Sequence, residues 1–160
     1  MASPTDDAFG RAVKRLTGSS TLSFVVYPIV VVAAELILGG GRLHFNPWWL
    51  ILMAWGYAQY RLCGLYRIRY GGGGPGMDTP PDRLVTTGPF AYSRNPMYLG
   101  HVIFLAGLAL ALHSWLAAAL AVLTIFRFTA RVRRDESRLV ERFGAPYVAY
   151  LSKVPRWLLW

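Results

Sequence analysis

The chain has little acid and almost no cysteine. Its 160 residues include 8 Asp and Glu against 17 Lys and Arg, and Cys63 is the one thiol. A lone cysteine excludes an internal disulfide and a cysteine metal cluster, so no metal site is expected and Cys63 reads as a buried, inert side chain. The glycine run at 71–76 lacks a preceding strand and a following Lys-Ser or Lys-Thr, both of which a phosphate-cradling loop requires. It reads as a linker, continued by 78–81. The net charge of +9 would suggest nucleic acid in a soluble protein. Here the aromatic residues lie inside apolar runs rather than among the Lys and Arg, which excludes a base-stacking surface.

What the chain has in abundance is apolar surface: 54% hydrophobic residues, 14% aromatics and a mean hydropathy of +0.34. That exceeds what a soluble domain of this length needs, and a membrane protein is the first inference. The expected fold is all-α, a single domain over 1–160: an integral membrane bundle of about four transmembrane helices with a cytosolic cofactor pocket. The predicted helices are 21–38, close to the length needed to cross hydrocarbon, 48–66, a short 96–112, and 115–142. Segment 1–20 reads as polar and cytosolic, leading into an uncleaved anchor. Pro28 is expected to kink the first helix, and Glu35, near its outer end, to reach interfacial water. Asn46-Pro47 opens the second helix with Trp48 and Trp49 as interfacial anchors. Tyr57, Gln59, Tyr60 and Arg61 make its later half polar, so that half faces protein or headgroups. Gly100, Gly107 and Ala111 are spaced to let a neighbouring helix approach closely. His113 and Ser114 alone separate the third helix from the fourth, which forces an antiparallel hairpin.

Basic residues set the orientation. Three precede the first helix, five lie between Arg61 and Arg94, eight follow from Arg127, and only Arg42 sits in the remaining loop. The positive-inside rule therefore puts both termini and the 61–94 region in the cytoplasm.

Two stretches then fall at the same end of the bundle. The first is GPFAYSRNPMYLG, residues 88–100, where Asn95 as cap and Pro96 at the first helical position open a helix. The unpartnered N–H groups of its first turn, with Arg94 beside them, form a place for a ligand carboxylate or phosphate. Phe90, Tyr92 and Tyr98 offer ring faces for a flat base. The alternative is a plain cap at a membrane boundary. The second stretch is the end of the fourth helix, which runs on out of the bilayer to about Arg142. There Phe128, Val132, Glu136, Leu139 and Phe143 form one stripe, and Arg131, Asp135, Arg138 and Arg142 the next. Asp135 has ordinary partners in Arg131 and Arg138. Glu136, an acid within the apolar stripe, must meet something polar or cationic that the fold brings to it, and is a ligand candidate. Gly144 ends the helix. The tail 143–160, cytosolic by the same count, carries Tyr147, Tyr150 and Val154-Pro155-Arg156 and is expected to pack back.

LVTTGPFAYSRNPMYLG (84–100) followed by DESRLVERFGAPYVAYLSKVPR (135–156) resembles the isoprenylcysteine carboxyl methyltransferase and phospholipid methyltransferase superfamily. The resemblance covers roughly the second half of the chain. It implies an integral membrane enzyme, here of the small bacterial inner-membrane type, that binds S-adenosylmethionine without a Rossmann domain and methylates a lipid-like or small-molecule acceptor. Carried over residue by residue, the cofactor-binding set is Leu84, Val85, Phe90, Arg94, Asn95, Pro96, Met97, Tyr98, Gly100, Asp135 and Glu136. Asn95 departs from the histidine common in the eukaryotic enzymes, which puts proton transfer at this position in doubt. Binding survives the change, since asparagine still forms hydrogen bonds.

Methyl transfer from a sulfonium needs positioning and exclusion of water more than a nucleophilic triad. Under the implied chemistry the Asn95 helix start and Arg94 take the cofactor carboxylate, and Glu136 its ammonium or ribose hydroxyls. Phe90, Tyr98 and the Leu84-Val85 segment take its adenine. Arg131 is the candidate to orient a carboxylate acceptor, with a salt bridge as its other reading. His101 is the candidate to take a proton from an amine or thiol, with a satisfied interior group as its other reading. Two alternatives stay open: an NADPH-dependent sterol or enone reductase of the same superfamily, and a non-catalytic membrane protein retaining the fold. Neither the acceptor nor the oligomeric state follows from the residues.

Overall fold

The computed structural model describes residues 18–74 and 79–158, and among these every regular element is helical. Segment 1–17 and linker residues 75–78 lie outside the described residues. Helix α1 is Ser19–Leu38. A five-residue π turn, Leu22–Val26, interrupts it just ahead of Pro28. Proline has no N–H to give the preceding turn, and the wider π spacing absorbs the missing donor. Asn46 starts the next segment by accepting from the Trp48 N–H at 3.2 Å, and a 3-10 turn, Pro47–Trp49, leads into α2, Leu50–Gly71. Helix α3 is Pro96–Leu112 and α4 is Trp115–Phe143, both with the predicted starts. A short α5, Ala145–Leu151, follows Gly144, whose φ of 61° suits a residue without a Cβ and turns the chain.

Helices α1 and α4 are long and apolar enough to cross a membrane by length and composition, and α3 is a shorter apolar helix. Helix α2 runs past its expected end at Tyr66 to Gly71, through Arg67 and Arg69. Polarity does not stop a helix whose charged residues find partners. Glycine at positive φ does, and Gly72 has a φ of 71°. Ile29, Ile37, Ile51, Leu62 and Phe126 are all exposed, an outward apolar surface of the kind lipid covers.

The bundle's core joins Val31 of α1, Phe104, Leu105, Leu108 and Leu112 of α3, and Ala117 and Ala121 of α4. Helices α2 and α3 form the closest pair. A Cβ on Gly56 would lie 2.6 Å from the Gly100 carbonyl oxygen and 2.5 Å from the Phe104 nitrogen, so only glycine allows the backbones to meet there. The expected close approach at Gly100 and Gly107 is thus made by α2.

At the opposite end from the tail, His113 in the left-handed region and Ser114 make the hairpin between α3 and α4. The Ser114 hydroxyl accepts from the Ala117 N–H at 3.1 Å and donates to Glu35 at 2.5 Å. Glu35 therefore does not simply reach for water as expected. It pins α1 to the start of α4, because a capping hydroxyl has a proton left to give.

Candidate functional site

The end of the bundle that holds the start of α3 and the extension of α4 encloses a cavity of about 270 Å³. One wall comes from the loop after α2. The Asp82 and Arg83 N–H groups both donate to the Gly71 carbonyl at 2.8 Å, and the Asp82 carboxylate accepts from the Gly73 N–H at 2.8 Å. Asp82 also pairs with Arg142 of α4 at 3.3 Å. These ties fold Pro80, Pro81, Leu84 and Val85 over the cavity.

The facing wall is the start of α3. Asn95 does not cap it as expected: its φ of −130° and ψ of 48° carry the amide away, and no side-chain cap forms. The Asn95 Nδ2 donates instead to the Arg156 carbonyl at 3.0 Å. The bond to the tail fixes the direction of the side chain, its Oδ1 accepts from no first-turn N–H, and those groups of α3 are left without a side-chain cap. The neighbouring Arg94 N–H donates to the Pro155 carbonyl at 3.0 Å, and the Tyr150 hydroxyl to the Phe90 carbonyl at 2.6 Å. The tail packs back as expected.

Glu136, buried on α4, meets two cations. Arg94 Nη1 lies 3.1 Å from it, and Arg156 Nη2 lies 2.6 Å away with its Nε donating at 3.3 Å. Of the stripe that made Glu136 conspicuous, Phe128, Val132 and Glu136 are buried, while Leu139 and Phe143 are half-buried. Burying a carboxylate without partners is costly, and two guanidiniums pair this one. The hydrogen bond to Glu136 in turn raises the Arg156 pKa. Glu136 itself does not line the cavity. Arg94 does, and its Nε is buried without a hydrogen-bond partner.

Asp135 lines the cavity directly. The Tyr98 hydroxyl donates to it at 2.9 Å, and Arg131 and Arg138 lie 3.5 Å and 3.8 Å away. Tyr147 and Tyr150 close the tail side. Burial, and next the negative charge of Glu136, pushes the Tyr147 phenol up to about 12. Burial also raises Tyr150.

Nine of the expected cofactor residues border this one cavity: Leu84, Val85, Phe90, Arg94, Asn95, Pro96, Met97, Tyr98 and Asp135. Gly100 does not; its place is the α2 crossing. Arg131 is turned to Asp135 and to the Ser19 hydroxyl at 3.1 Å, tying α1 to α4. His101 is fully buried in the bundle, stacked on Phe24 with ring centres 4.4 Å apart and edge-on to Tyr60 and Phe128. Sequence reasoning missed Arg67, which is buried at the cavity wall and donates to the Gly74 carbonyl at 3.1 Å. It also missed Leu139, Arg142 and the two tail tyrosines as lining groups.

A second, larger hollow of about 790 Å³ lies along the outer side of α2 and α3. It is mostly apolar, with Trp55, Leu62, Leu99, Ile103 and Leu158, and has Arg69, Tyr66 and Tyr70 towards the cavity end. Pro96 borders both spaces.

Comparison with known proteins bears on the same part of the chain. Residues 70–145 match the phospholipid methyltransferase family. The protein-S-isoprenylcysteine O-methyltransferase of Schizosaccharomyces pombe is 37% identical over 73 residues, 45% of this chain and 31% of that protein. The Saccharomyces cerevisiae enzyme of the same name is 36% identical over 72 residues, 44% of this chain and 30% of the relative. Protein-S-isoprenylcysteine O-methyltransferase B of Arabidopsis thaliana is 34% identical over 74 residues, 46% and 38% of the two chains. The matched stretch thus spans about a third of each relative's length. No solved structure matches the chain. The segment that builds the cavity walls from α2 to α4 is thus the part of the chain that is similar to the phospholipid methyltransferase family and to the protein-S-isoprenylcysteine O-methyltransferases.

Proposed function

We propose that the chain is an S-adenosylmethionine-dependent methyltransferase of the bacterial inner membrane, with both termini cytoplasmic, and that its acceptor is the carboxylate of a prenylcysteine-like lipid. The observation that carries this reading is the meeting of two unlike spaces at Pro96, one charged and one apolar. A polar cofactor and a greasy acceptor need that pairing.

The residues fit the cofactor. Arg94 offers a buried Nε with no partner beside an uncapped helix start, a place for a carboxylate. Asp135, held by Tyr98, takes an ammonium or ribose hydroxyls. Phe90, Leu84 and Val85 supply apolar contact for a base. Glu136 works through Arg94 rather than by touching the ligand. When bound, the cofactor supplies an electrophilic methyl group on sulfur, and C–O bond formation accompanies C–S cleavage with the electron pair left on sulfur.

The charge of the cavity favours an acid acceptor over an amine. Arg67, Arg94, Arg138 and Arg142 border it against Asp135 alone. With Asp135, the one acid there, engaged by the cofactor, an acceptor amine would find no counter-charge, whereas an acceptor carboxylate would be drawn in and oriented. A carboxylate also has no proton to lose, so His101, walled off among aromatic rings, is not required as a base.

The test is methyl transfer by the detergent-purified chain from labelled cofactor to a farnesylcysteine analogue, with phosphatidylethanolamine vesicles as competitor. Label released by mild base, as an ester would release it, is the expected result. Base-stable label on the phospholipid would replace O- by N-methylation. No cofactor binding together with NADPH oxidation by an enone would replace the reading with a reductase, and neither activity would leave a non-catalytic protein.

A further inference from the structure

Arg156 is tied to the residues of the candidate site through both its side chain and its backbone. Its guanidinium is bidentate on Glu136, while its carbonyl accepts from Asn95 Nδ2 at 3.0 Å and from the Ser93 hydroxyl at 3.4 Å. Yet it does not border the cavity. The residues around it wall both spaces: Tyr150 lies in the charged cavity, Trp157 packs on Tyr98, Phe128 and Val132, and Leu158 lines the apolar hollow.

The charges show why a cation is needed where no ligand reaches. Arg94 and Glu136 alone would form a neutral pair, and Arg94 would have its charge spent on its partner. With Arg156 also on Glu136, the cluster of two guanidiniums and one carboxylate carries a net positive charge, and the member at the cavity wall is Arg94. In a setting where the Arg94 side chain is 12% exposed and Glu136 11%, that charge is weakly screened.

We propose that Arg156 is a positioning residue: it shares the Glu136 charge so that the Arg94 charge is not fully offset on the ligand side, and its backbone holds the 93–95 loop in the same act. The inference rests on the cofactor reading above. The consequence is specific to ligands with a carboxylate. S-adenosylhomocysteine has one; 5′-methylthioadenosine shares the nucleoside and the thioether but has none.

The experiment is calorimetric binding of both, and of S-adenosylmethionine, to the full chain in detergent. Arg156→Gln is expected to weaken the two carboxylate-bearing ligands at least tenfold and to leave methylthioadenosine within threefold. Arg156→Lys, which keeps the charge, is expected to restore most of the loss. Trp157→Ala, which loosens the tail without touching the charge, should change all three ligands alike. Equal losses for all three ligands in Arg156→Gln, no loss at all, or a lysine variant as weak as the glutamine one would overturn the proposal. If Arg156→Gln does not fold, the lysine variant decides by the same ligand comparison. Failure of the unaltered chain to bind any of the three would instead remove the cofactor reading itself.

Discussion

Two helices of this chain start with the same dipeptide and finish with different chemistry. Asn46-Pro47 behaves as local rules predict: the asparagine oxygen accepts from the Trp48 N–H, and proline fills the first turn. Asn95-Pro96 keeps the proline and abandons the cap: its backbone angles and the bond from its Nδ2 to the Arg156 carbonyl direct the side chain to the tail, and its Oδ1 takes no N–H of the helix. The Asn46 side chain bonds within its own helix start, while its backbone N–H donates to the Ala111 carbonyl at 2.8 Å. The lesson is that a capping residue whose amide is claimed from outside leaves its helix mouth open, and the open mouth is the one beside Arg94 and the cavity.

The largest effect should come from removing what anchors the competitor. Glu136→Ala strands Arg94 and Arg156 together, and breaking a buried ion pair costs about 3–5 kcal/mol. A lower unfolding midpoint in detergent and loss of S-adenosylmethionine binding by two orders of magnitude or more are expected; binding within threefold of the unaltered chain would break the link between tail and helix start.

Next come the two asparagines themselves. Asn46→Ala should cost about 1 kcal/mol of stability, the usual value of an N-cap, and leave cofactor affinity unchanged. Asn95→Ala should weaken cofactor binding roughly tenfold by freeing the tail from the loop. Equal behaviour of the two variants in calorimetry would erase the contrast. Asn95→Asp sharpens it further: a carboxylate can cap but cannot donate to the Arg156 carbonyl, and it adds negative charge where a ligand carboxylate would sit. Cofactor affinity should fall by more than in Asn95→Ala, while Asn46→Asp should be neutral for binding.

The smallest effect is a pH dependence confined to the Asn95 end. Tyr147 has an ordinary phenol pKa near 10 when unfolded and about 12 when buried. The folded form therefore holds its proton more tightly, its contribution is whole below pH 10, and it is lost as pH rises towards 12. Thermal unfolding of Tyr147→Phe should show a shallower decline over that window; an identical slope would mean that the phenol does not titrate there.

Much of this was legible beforehand because it depends on short-range pattern. The starts of α3 and α4, the hairpin at His113-Ser114, and the oddity of an acid in the stripe of Phe128 and Val132 all follow from spacing along one helix. Arg67 was invisible for a physical reason: in sequence it belongs to a run of cations at a membrane boundary, and only the fold sets it, buried, in the cavity wall with Pro80 and Pro81. Gly100 carried two readings, a close-packing position and a part of the ligand motif, and its lack of a Cβ serves the first, the crossing with Gly56. The roles of Glu136 and Asp135 also shifted. Facing directions one residue apart on a helix differ by about 100°, and that rotation sends Asp135 to the cavity and Glu136 to the arginines behind it.

Sequence by itself determined that the chain is helical, apolar, basic at one end, and carries Arg94 to Tyr98 at a helix start, since periodicity, breakers and charge are properties of neighbours in the chain. Tertiary structure alone decided that the Asn95 amide would hold the tail rather than its helix, that Glu136 would be shared by Arg94 and Arg156, and that a charged cavity and an apolar hollow would meet at Pro96. Those outcomes turn on which distant group arrives first at a polar atom that water would otherwise satisfy, and no local pattern encodes that competition.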